Sequence, residues 1–455
     1  MNARLSRRDL LRGAAATLGT SGLSLAIPAS PLRGARARRP NILLILADDL
    51  GCGDLGCYGQ DRIRTPYLDQ VAAEGIRFTQ AYAGSPADAP SRSALMTGRH
   101  TGHAFIRGDA PLALRPQDLT VAEVLKRQGY ATGAFGRWSL GGPGTTGVPN
   151  RQGFGEWFGD LGESRTLSHY PDHLWRNEEK CPLPGNEGGK KEQYAHDLFT
   201  GEALDFIRRH RGHPFFLYLA GTLPRATGNG LEVPGDAPYT DQPWPQPERN
   251  KAAMITRLDA DVGRILALLK ELGIDEDTLL IFTSDNGPHA EGGSDPAFFR
   301  SSGPLRGIKG DLYEGGIRVP LLLRWPGTVR PRRVSDRPSA LWDFLATAAE
   351  IAGARQPEAT DGISLLPTLL SRPQPAHPYL YWESHERGFQ QAVRLGDWKA
   401  VRRGADAPVE LYDLSHDLGE RENVAAKHPD VVKRIEAILS ACRTESPTPP
   451  GGGGR

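Results

Sequence analysis

The chain has 455 residues, with 55 Lys and Arg against 54 Asp and Glu, and carries a net charge of +1. That length supports one large domain with a smaller companion, and the near-neutral balance speaks against a nucleic-acid or anionic-membrane partner. Gly (54) and Pro (37) are plentiful, which suits long functional loops on a scaffold and excludes a plain helical bundle.

Residues 1–37 read as an export segment. Ser6-Arg7-Arg8-Asp9-Leu10-Leu11 resembles the twin-arginine motif, a mildly apolar run from Ala14 to Ile27 follows, and Ala35-Arg36-Ala37 offers a small-x-small cleavage site. The segment holds six Arg and one Asp, so its removal would leave a net charge of about −4. Its apolar run is too short and too rich in Gly and Ser to span a bilayer stably. The expectation is a periplasmic or secreted protein, handled by the twin-arginine export machinery and without stable membrane insertion.

From Pro40 onward, short apolar runs alternate with amphipathic stretches, the pattern of an α/β sheet covered by helices. Asn41–Ala47 is a buried strand that runs into Asp48-Asp49. Helices are predicted over Leu68–Glu74, Val121–Gln128 and Tyr194–Arg209, and Phe215–Ala220 is another buried strand. Ala252–Leu272 is a long helix with Ile255, Leu258, Val262, Ile265 and Leu269 on one face. Leu279–Thr283 is a strand leading into Ser284-Asp285-Asn286-Gly287, and Ala340–Ala352 is a further helix.

The texture changes after the proline-rich Arg372–His377. Tyr379–Glu383, Gln391–Arg394, Trp398–Arg402 and Val409–Tyr412 read as short strands, followed by a helix near Pro429–Leu439. The resulting division is a large α/β domain over 38–372, a small antiparallel sheet with a helix over 373–443, and a disordered tail from 444 to 455.

Two acidic clusters, Asp48-Asp49 and Asp285-Asn286, each follow a buried strand directly. Ligands gather at the carboxyl ends of strands in open α/β sheets. Three carboxylates and an amide oxygen are hard donors, suited to calcium, with magnesium as the alternative. None of Cys52, Cys57, Cys181 and Cys442 has metal-ligand spacing. Cys52 and Cys57 could pair in an oxidising compartment, and Cys57 could equally be a buried packing thiol.

The segment Ala87-Asp88-Ala89-Pro90-Ser91-Arg92-Ser93-Ala94-Leu95-Met96-Thr97-Gly98-Arg99 closely resembles the signature of the type I sulfatases. The resemblance extends from Pro40 to about Leu439. It takes in Asp48-Asp49-Leu50-Gly51, Gly136-Arg137-Trp138, Thr283-Ser284-Asp285-Asn286-Gly287, Leu305-Arg306-Gly307-x-Lys309 and Glu314-Gly315-Gly316-Ile317-Arg318. In the small domain it includes Gly396-Asp397-Trp398-Lys399 and Leu411-Tyr412-Asp413-Leu414. Tyr170-Pro171-Asp172 with Leu174-Trp175-Arg176-Asn177 is similar to the arylsulfatase A and N-acetylgalactosamine-6-sulfatase branch. The resemblance implies an alkaline-phosphatase-like mixed sheet flanked by helices and a sulfated small molecule or glycan as partner. By the same resemblance, calcium would be held by Asp48, Asp49, Asp285 and Asn286, with position 88 as a further ligand. Arg92 would stabilise the nucleophile, and Lys309 would bind the sulfate. Pro90 is placed as a first helical residue, and His289 is read as either a proton donor or a satisfied surface histidine.

The departures from the pattern bear on activity. Where the family carries the cysteine or serine that becomes formylglycine, this chain has Asp88, which has neither a thiol nor a hydroxyl to oxidise. No formylglycine is expected. The family's Gly-Lys-Trp is Gly136-Arg137-Trp138, its Pro-His is Pro224-Arg225, and a frequent histidine is Ser139. If Asp88 pairs bidentately with Arg92, Arg137 or Arg225, the pocket is closed; if it binds metal and still faces the substrate, it could attack. Three functions stay open: a sulfuric ester hydrolase with weak or altered activity, an inactive binder of sulfated glycans, and a phosphate or phosphonate ester hydrolase using Asp88 or a metal-bound water.

Overall fold

The computed structural model describes residues 39–108, 112–162 and 168–445. The export segment and residues 446–455 of the expected tail lie outside the described residues. Among the described residues there are sixteen strands. In chain order they are β1 (Asn41–Ala47), β2 (Ile76–Phe78), β3 (Ala81–Tyr82), β4 (Ala131–Arg137), β5 (Glu156–Asp160), β6 (His173–Arg176), β7 (Glu179–Pro182) and β8 (Phe215–Ala220). They continue as β9 (Thr278–Ser284), β10 (Leu321–Arg324), β11 (Arg333–Ser335), β12 (Ser339–Ala340), β13 (Leu380–Ser384), β14 (Gln390–Leu395), β15 (Trp398–Arg402) and β16 (Glu410–Asp413). The helices are α1 (Pro66–Glu74), α2 (Asp88–Thr97), α3 (Val121–Arg127), α4 (Ala195–His210), α5 (Gln246–Glu271), α6 (Glu314–Ile317), α7 (Asp343–Ala352), α8 (Leu366–Leu369) and α9 (Pro429–Ala441).

The large sheet has the order β11-β2-β10-β9-β1-β8-β4-β5-β6-β7. Its centre, β9-β1-β8-β4-β5, is parallel, while β10, β6 and β7 join antiparallel. Alternate residues of the central strands feed two cores. Leu43, Ile45, Leu217, Leu219, Leu280 and Phe282 meet α1, α4 and α5 on one face. Ile42, Leu44, Phe216, Tyr218, Leu279 and Ile281 meet α2, α3 and α7 on the other. Burial on both faces explains the unbroken apolar runs. The parallel arrangement also brings the carboxyl ends of β1, β4, β8 and β9 to one edge.

Strands β13 to β16 form a small antiparallel sheet, and α9 packs on it through Val431, Ile435 and Leu439. A shared cluster of Tyr82, Leu312, Trp342, Trp382, Ala392 and Val401 joins this sheet to the main body. Lys399, fully buried, bridges Glu314 at 3.0 Å and Glu420 at 3.3 Å across the same junction.

Several expectations need correction. Helix α5 begins at Gln246, six residues before the predicted Ala252, because Pro247 sits in its first turn, where a missing N–H costs nothing. Its first turns also bury polar groups: Glu248 accepts from the Asp295 N–H, and Lys251 donates to Ser301, so the apolar rhythm gives no sign of them. The helix predicted from Ala340 starts at Asp343, since Ser339–Ala340 pairs with β3 and Asp343 accepts from the Ala340 N–H. The tail expected from 444 is anchored at its first residue, where the Thr444 carbonyl accepts from Arg107 at 2.9 Å. The four cysteines are free, and burial pushes the Cys52 and Cys57 thiols up to about 12.

Candidate active site

Strand β1 ends in Asp48 and Asp49, and β9 ends one residue before Asp285; all three carboxylates are fully buried. The backbone joins the two strand ends. The Asp285 N–H donates to the Ala47 carbonyl at 3.2 Å, and the Asp49 N–H donates to Asp285 Oδ1 at 3.1 Å. Asp49 has φ of 67°, the left-handed region that non-glycine residues rarely adopt, as found where a functional turn over-determines the backbone.

Helix α2 supplies Asp88 and, one turn on, Arg92. Asp88 is its first residue, so Pro90 is the third helical position rather than the first. Pro90 still lies within the first turn, where its missing N–H has no intrahelical acceptor. Arg92 is fully buried. Its Nε and Nη2 donate to Asp285 Oδ2 at 3.0 and 2.8 Å, Nη2 also reaches Asp48 Oδ2 at 2.9 Å, and Nη1 donates to the Arg137 carbonyl. Arg92 therefore pairs with Asp48 and Asp285 and not with Asp88.

Arg137 and Arg225 do reach Asp88. Arg137, the last residue of β4, donates from Nη1 to Asp88 Oδ2 at 2.8 Å and to Asp48 Oδ2 at 3.2 Å. Arg225, in the loop after β8, donates from Nη1 to the same Asp88 Oδ2 and contacts Asp48 Oδ1 at 3.4 Å. Each arginine gives one nitrogen to one oxygen, so neither pair is bidentate. Lys309 Nζ lies 2.8 Å from Asp88 Oδ1 and donates to Asp49 Oδ1 and Oδ2 at 2.7 and 2.9 Å. The Gly310 N–H, bonded to the Pro86 carbonyl, holds the Lys309 loop beside Asp88.

Charges in this pocket are matched, four carboxylates (Asp48, Asp49, Asp88, Asp285) facing four cations (Arg92, Arg137, Arg225, Lys309). Burial alone would raise the Asp88 carboxyl, but Lys309, Arg225, Arg137 and Arg92 together hold it well below the usual carboxylate range. Asp285 goes the other way. Burial and the neighbouring Asp48 push it up to about 7 against the opposing pull of Arg92.

Ligand oxygens of Asp48, Asp49, Asp88 and Asp285 all lie within 4.8 Å of one another. Asn286 donates from Nδ2 to Asp49 Oδ1 at 2.8 Å, while its Oδ1 is buried without a hydrogen-bond partner among the described residues. An orphaned amide oxygen beside crowded carboxylates fits a hard divalent cation. The cluster can hold a metal ion.

His289 is buried, not at the surface. Burial depresses its pKa, its Nδ1 accepts from the Glu291 N–H at 2.9 Å, and its Nε2 faces the Pro224 carbonyl at 3.2 Å. Both ring nitrogens are thus committed to backbone. Three further groups escaped the sequence reading. Ser91 accepts from the Gly84 N–H at 3.0 Å and donates to the Asp285 carbonyl; Ser284 accepts from the Leu50 N–H at 2.9 Å; His169 Nε2 meets the Arg225 carbonyl at 3.0 Å. Ser91 and Ser284 lie inside the recognised motifs, so their polarity next to a ligand residue was the available signal.

The family model described as Sulfatase matches residues 40–354, and that described as N-sulphoglucosamine sulphohydrolase, C-terminal, matches residues 309–445. The chain is 32% identical over 505 residues to the N-acetylgalactosamine-6-O-sulfatase of Bacteroides thetaiotaomicron, covering 90% of this chain and 94% of that one. It is 37% identical over 474 residues to arylsulfatase A of Homo sapiens, covering 88% and 87%. Among solved structures it is similar to Ps i-CgsB in complex with k-i-k-neocarrahexaose, with a TM-score of 0.79 at 28% identity, covering 90% and 94%.

Proposed function

The chain belongs to the sulfatase family, with its alkaline-phosphatase-like mixed sheet and small C-terminal antiparallel sheet, and we propose that it is a sulfuric ester hydrolase of weak or altered activity on sulfated sugars or aryl sulfates. One observation carries this reading: the residue at the nucleophile position is a carboxylate shared by Arg137, Arg225 and Lys309. Lys309 is retained, and Arg137 and Arg225 supply cations where the family pattern carries Lys and His. The group that would attack it is an ion-paired anion.

In the family chemistry the formylglycine hydrate attacks sulfur with one hydroxyl, and its second hydroxyl then helps expel sulfate. Asp88 offers neither. An ionised carboxylate about 4 Å from an incoming sulfate repels it by roughly 4 kcal/mol at an effective dielectric near 20. Arg137, Arg225 and Lys309 offset that term, but they cannot supply a hydroxyl. Asp48, Asp49, Asp285 and Asn286 would hold calcium, with Asp88 as an added anionic ligand. The ion would add positive charge beside those carboxylates and draw charge from the ester oxygens. Arg92 fixes Asp48 and Asp285 for that task.

The test is Asp88→Cys co-expressed with a formylglycine-generating enzyme, assayed on aryl sulfates with calcium. Sulfate release well above the wild-type rate supports the reading. A matured variant no faster than wild type contradicts it.

The reading includes twin-arginine export to the periplasm. It rests on Arg7-Arg8 and the weakly apolar run that follows. Among the described residues no helix is long and apolar enough to cross a membrane. Replacing both arginines by lysine should leave the protein in the cytoplasm, and unchanged export would sink this part.

A further inference from the structure

We propose that the Asp88 carboxylate is an internal occupant of an oxyanion subsite, and that removing its charge opens the subsite to a free tetrahedral oxyanion such as inorganic sulfate. The proposal deepens the reading above, because it concerns the same pocket, but it requires no turnover.

Three cations from three separate elements converge on Asp88: Arg137 at the end of β4, Arg225 after β8, and Lys309 in the loop pinned to Pro86. The side chains of Arg137, Arg225 and Lys309 are 10%, 14% and 17% exposed. Cations so far from water require an anion in contact with them. Asp88 is the anion that all three share, beside Asp48 and Asp49 as their further partners, and it fits the donors incompletely. Both arginines crowd onto Oδ2, and Lys309 meets Oδ1 as an ion pair without an aligned hydrogen bond. The Nε groups of Arg137 and Arg225 are buried and have no acceptor among the described residues.

A carboxylate has two oxygens in one plane, whereas these cations approach from three elements. A tetrahedral oxyanion carries four oxygens in four directions, enough to give Arg137, Arg225 and Lys309 an oxygen each. Asp88 is tethered at the start of α2, so it competes as an intramolecular ligand with a high effective concentration. Free sulfate should therefore fail to enter the wild-type protein at millimolar levels and succeed once the tethered charge is gone.

The experiment compares the mature wild-type chain with Asp88→Gly and the near-isosteric Asp88→Asn in calcium-containing buffer. Thermal unfolding and calorimetry are run with sodium sulfate against sodium chloride at equal ionic strength. The expected result is a rise of several degrees in Tm with 5 mM sulfate for the variants, under one degree for wild type, and at least a tenfold loss of sulfate affinity when Arg225→Ala is added to Asp88→Gly. Folded variants that ignore sulfate, a wild type that responds equally, or an affinity indifferent to Arg225→Ala would each overturn the proposal. Its failure is separable from that of the hydrolytic reading. A matured Asp88→Cys chain without activity beside an Asp88→Gly chain that binds sulfate refutes only the latter; restored hydrolysis without sulfate binding refutes only the former.

Discussion

Arg225 donates directly to the carboxylate of Asp88, joining the loop after β8 to the first residue of α2. Both positions depart from the family pattern, and the two departures meet in one ion pair. A carboxylate placed alone among buried acids would be strongly disfavoured; a permanent cation beside it makes the substitution tolerable.

The first prediction follows from that contact. Arg225→Ala should destabilise the wild-type protein by about 3 kcal/mol, the lower end of the range for breaking a buried pair, because Arg137 and Lys309 remain. In an Asp88→Asn background the same change should cost much less. Urea unfolding of the four proteins gives the coupling. Equal costs in both backgrounds would mean the pair is incidental.

A divalent cation should stabilise the protein through the acidic cluster. Calcium at a hundredfold excess over its Kd should add about 2.7 kcal/mol, and Asp285→Asn should remove most of that gain. Chelator titration followed by thermal unfolding measures it. An Asp285→Asn protein that responds to calcium like wild type would move the metal elsewhere.

Stability should fall on mild acidification through two buried histidines, His100 and His169. Burial depresses His100 from 6.5 to about 4, against the pull of Asp361, with His103 and Arg107 opposing protonation and Glu383 favouring it; His169 is likewise depressed to about 4 by burial. A depressed folded value means the unfolded chain takes up the proton first. The contribution is therefore complete above pH 6.5 and is lost as pH falls from 6.5 through 4, by about 3 kcal/mol per histidine. His100→Asn should flatten the slope of unfolding free energy in that window. An unchanged slope would contradict the assignment.

In the matured Asp88→Cys protein, Arg225→His should raise turnover tenfold or more, since a positioned proton-transferring group is commonly worth that or above. In the wild-type background the same change should do little. The two positions act on one transition state, so their effects should not add.

Legibility in the sequence followed burial. Strands β1, β8 and β9 were plain because they lie between two helical layers and must be apolar throughout. Strand β4 does not show in the apolar pattern because Gly133 and Gly136 interrupt it. A Cβ at Gly136 would stand 1.8 Å from the Ala220 carbonyl, so close strand packing demands the residue that blurs the pattern. At the site, the acidic residues and Arg92 could be named from their motifs. Which carboxylate each arginine holds could not, because that depends on how α2, β4 and the loop after β8 meet in space. The choice of Arg92 for Asp48 and Asp285, leaving Asp88 to Arg137, Arg225 and Lys309, is a tertiary fact.

The most direct test of the central claim is the initial rate of sulfate release from an aryl sulfate by the wild-type protein with calcium, measured beside Asp88→Ala. The account predicts a weak wild-type rate that Asp88→Ala does not lower, since Asp88 lacks the hydroxyl that formylglycine uses and is held in ion pairs. Brisk turnover by wild type that Asp88→Ala abolishes would make the aspartate a working nucleophile and contradict the account.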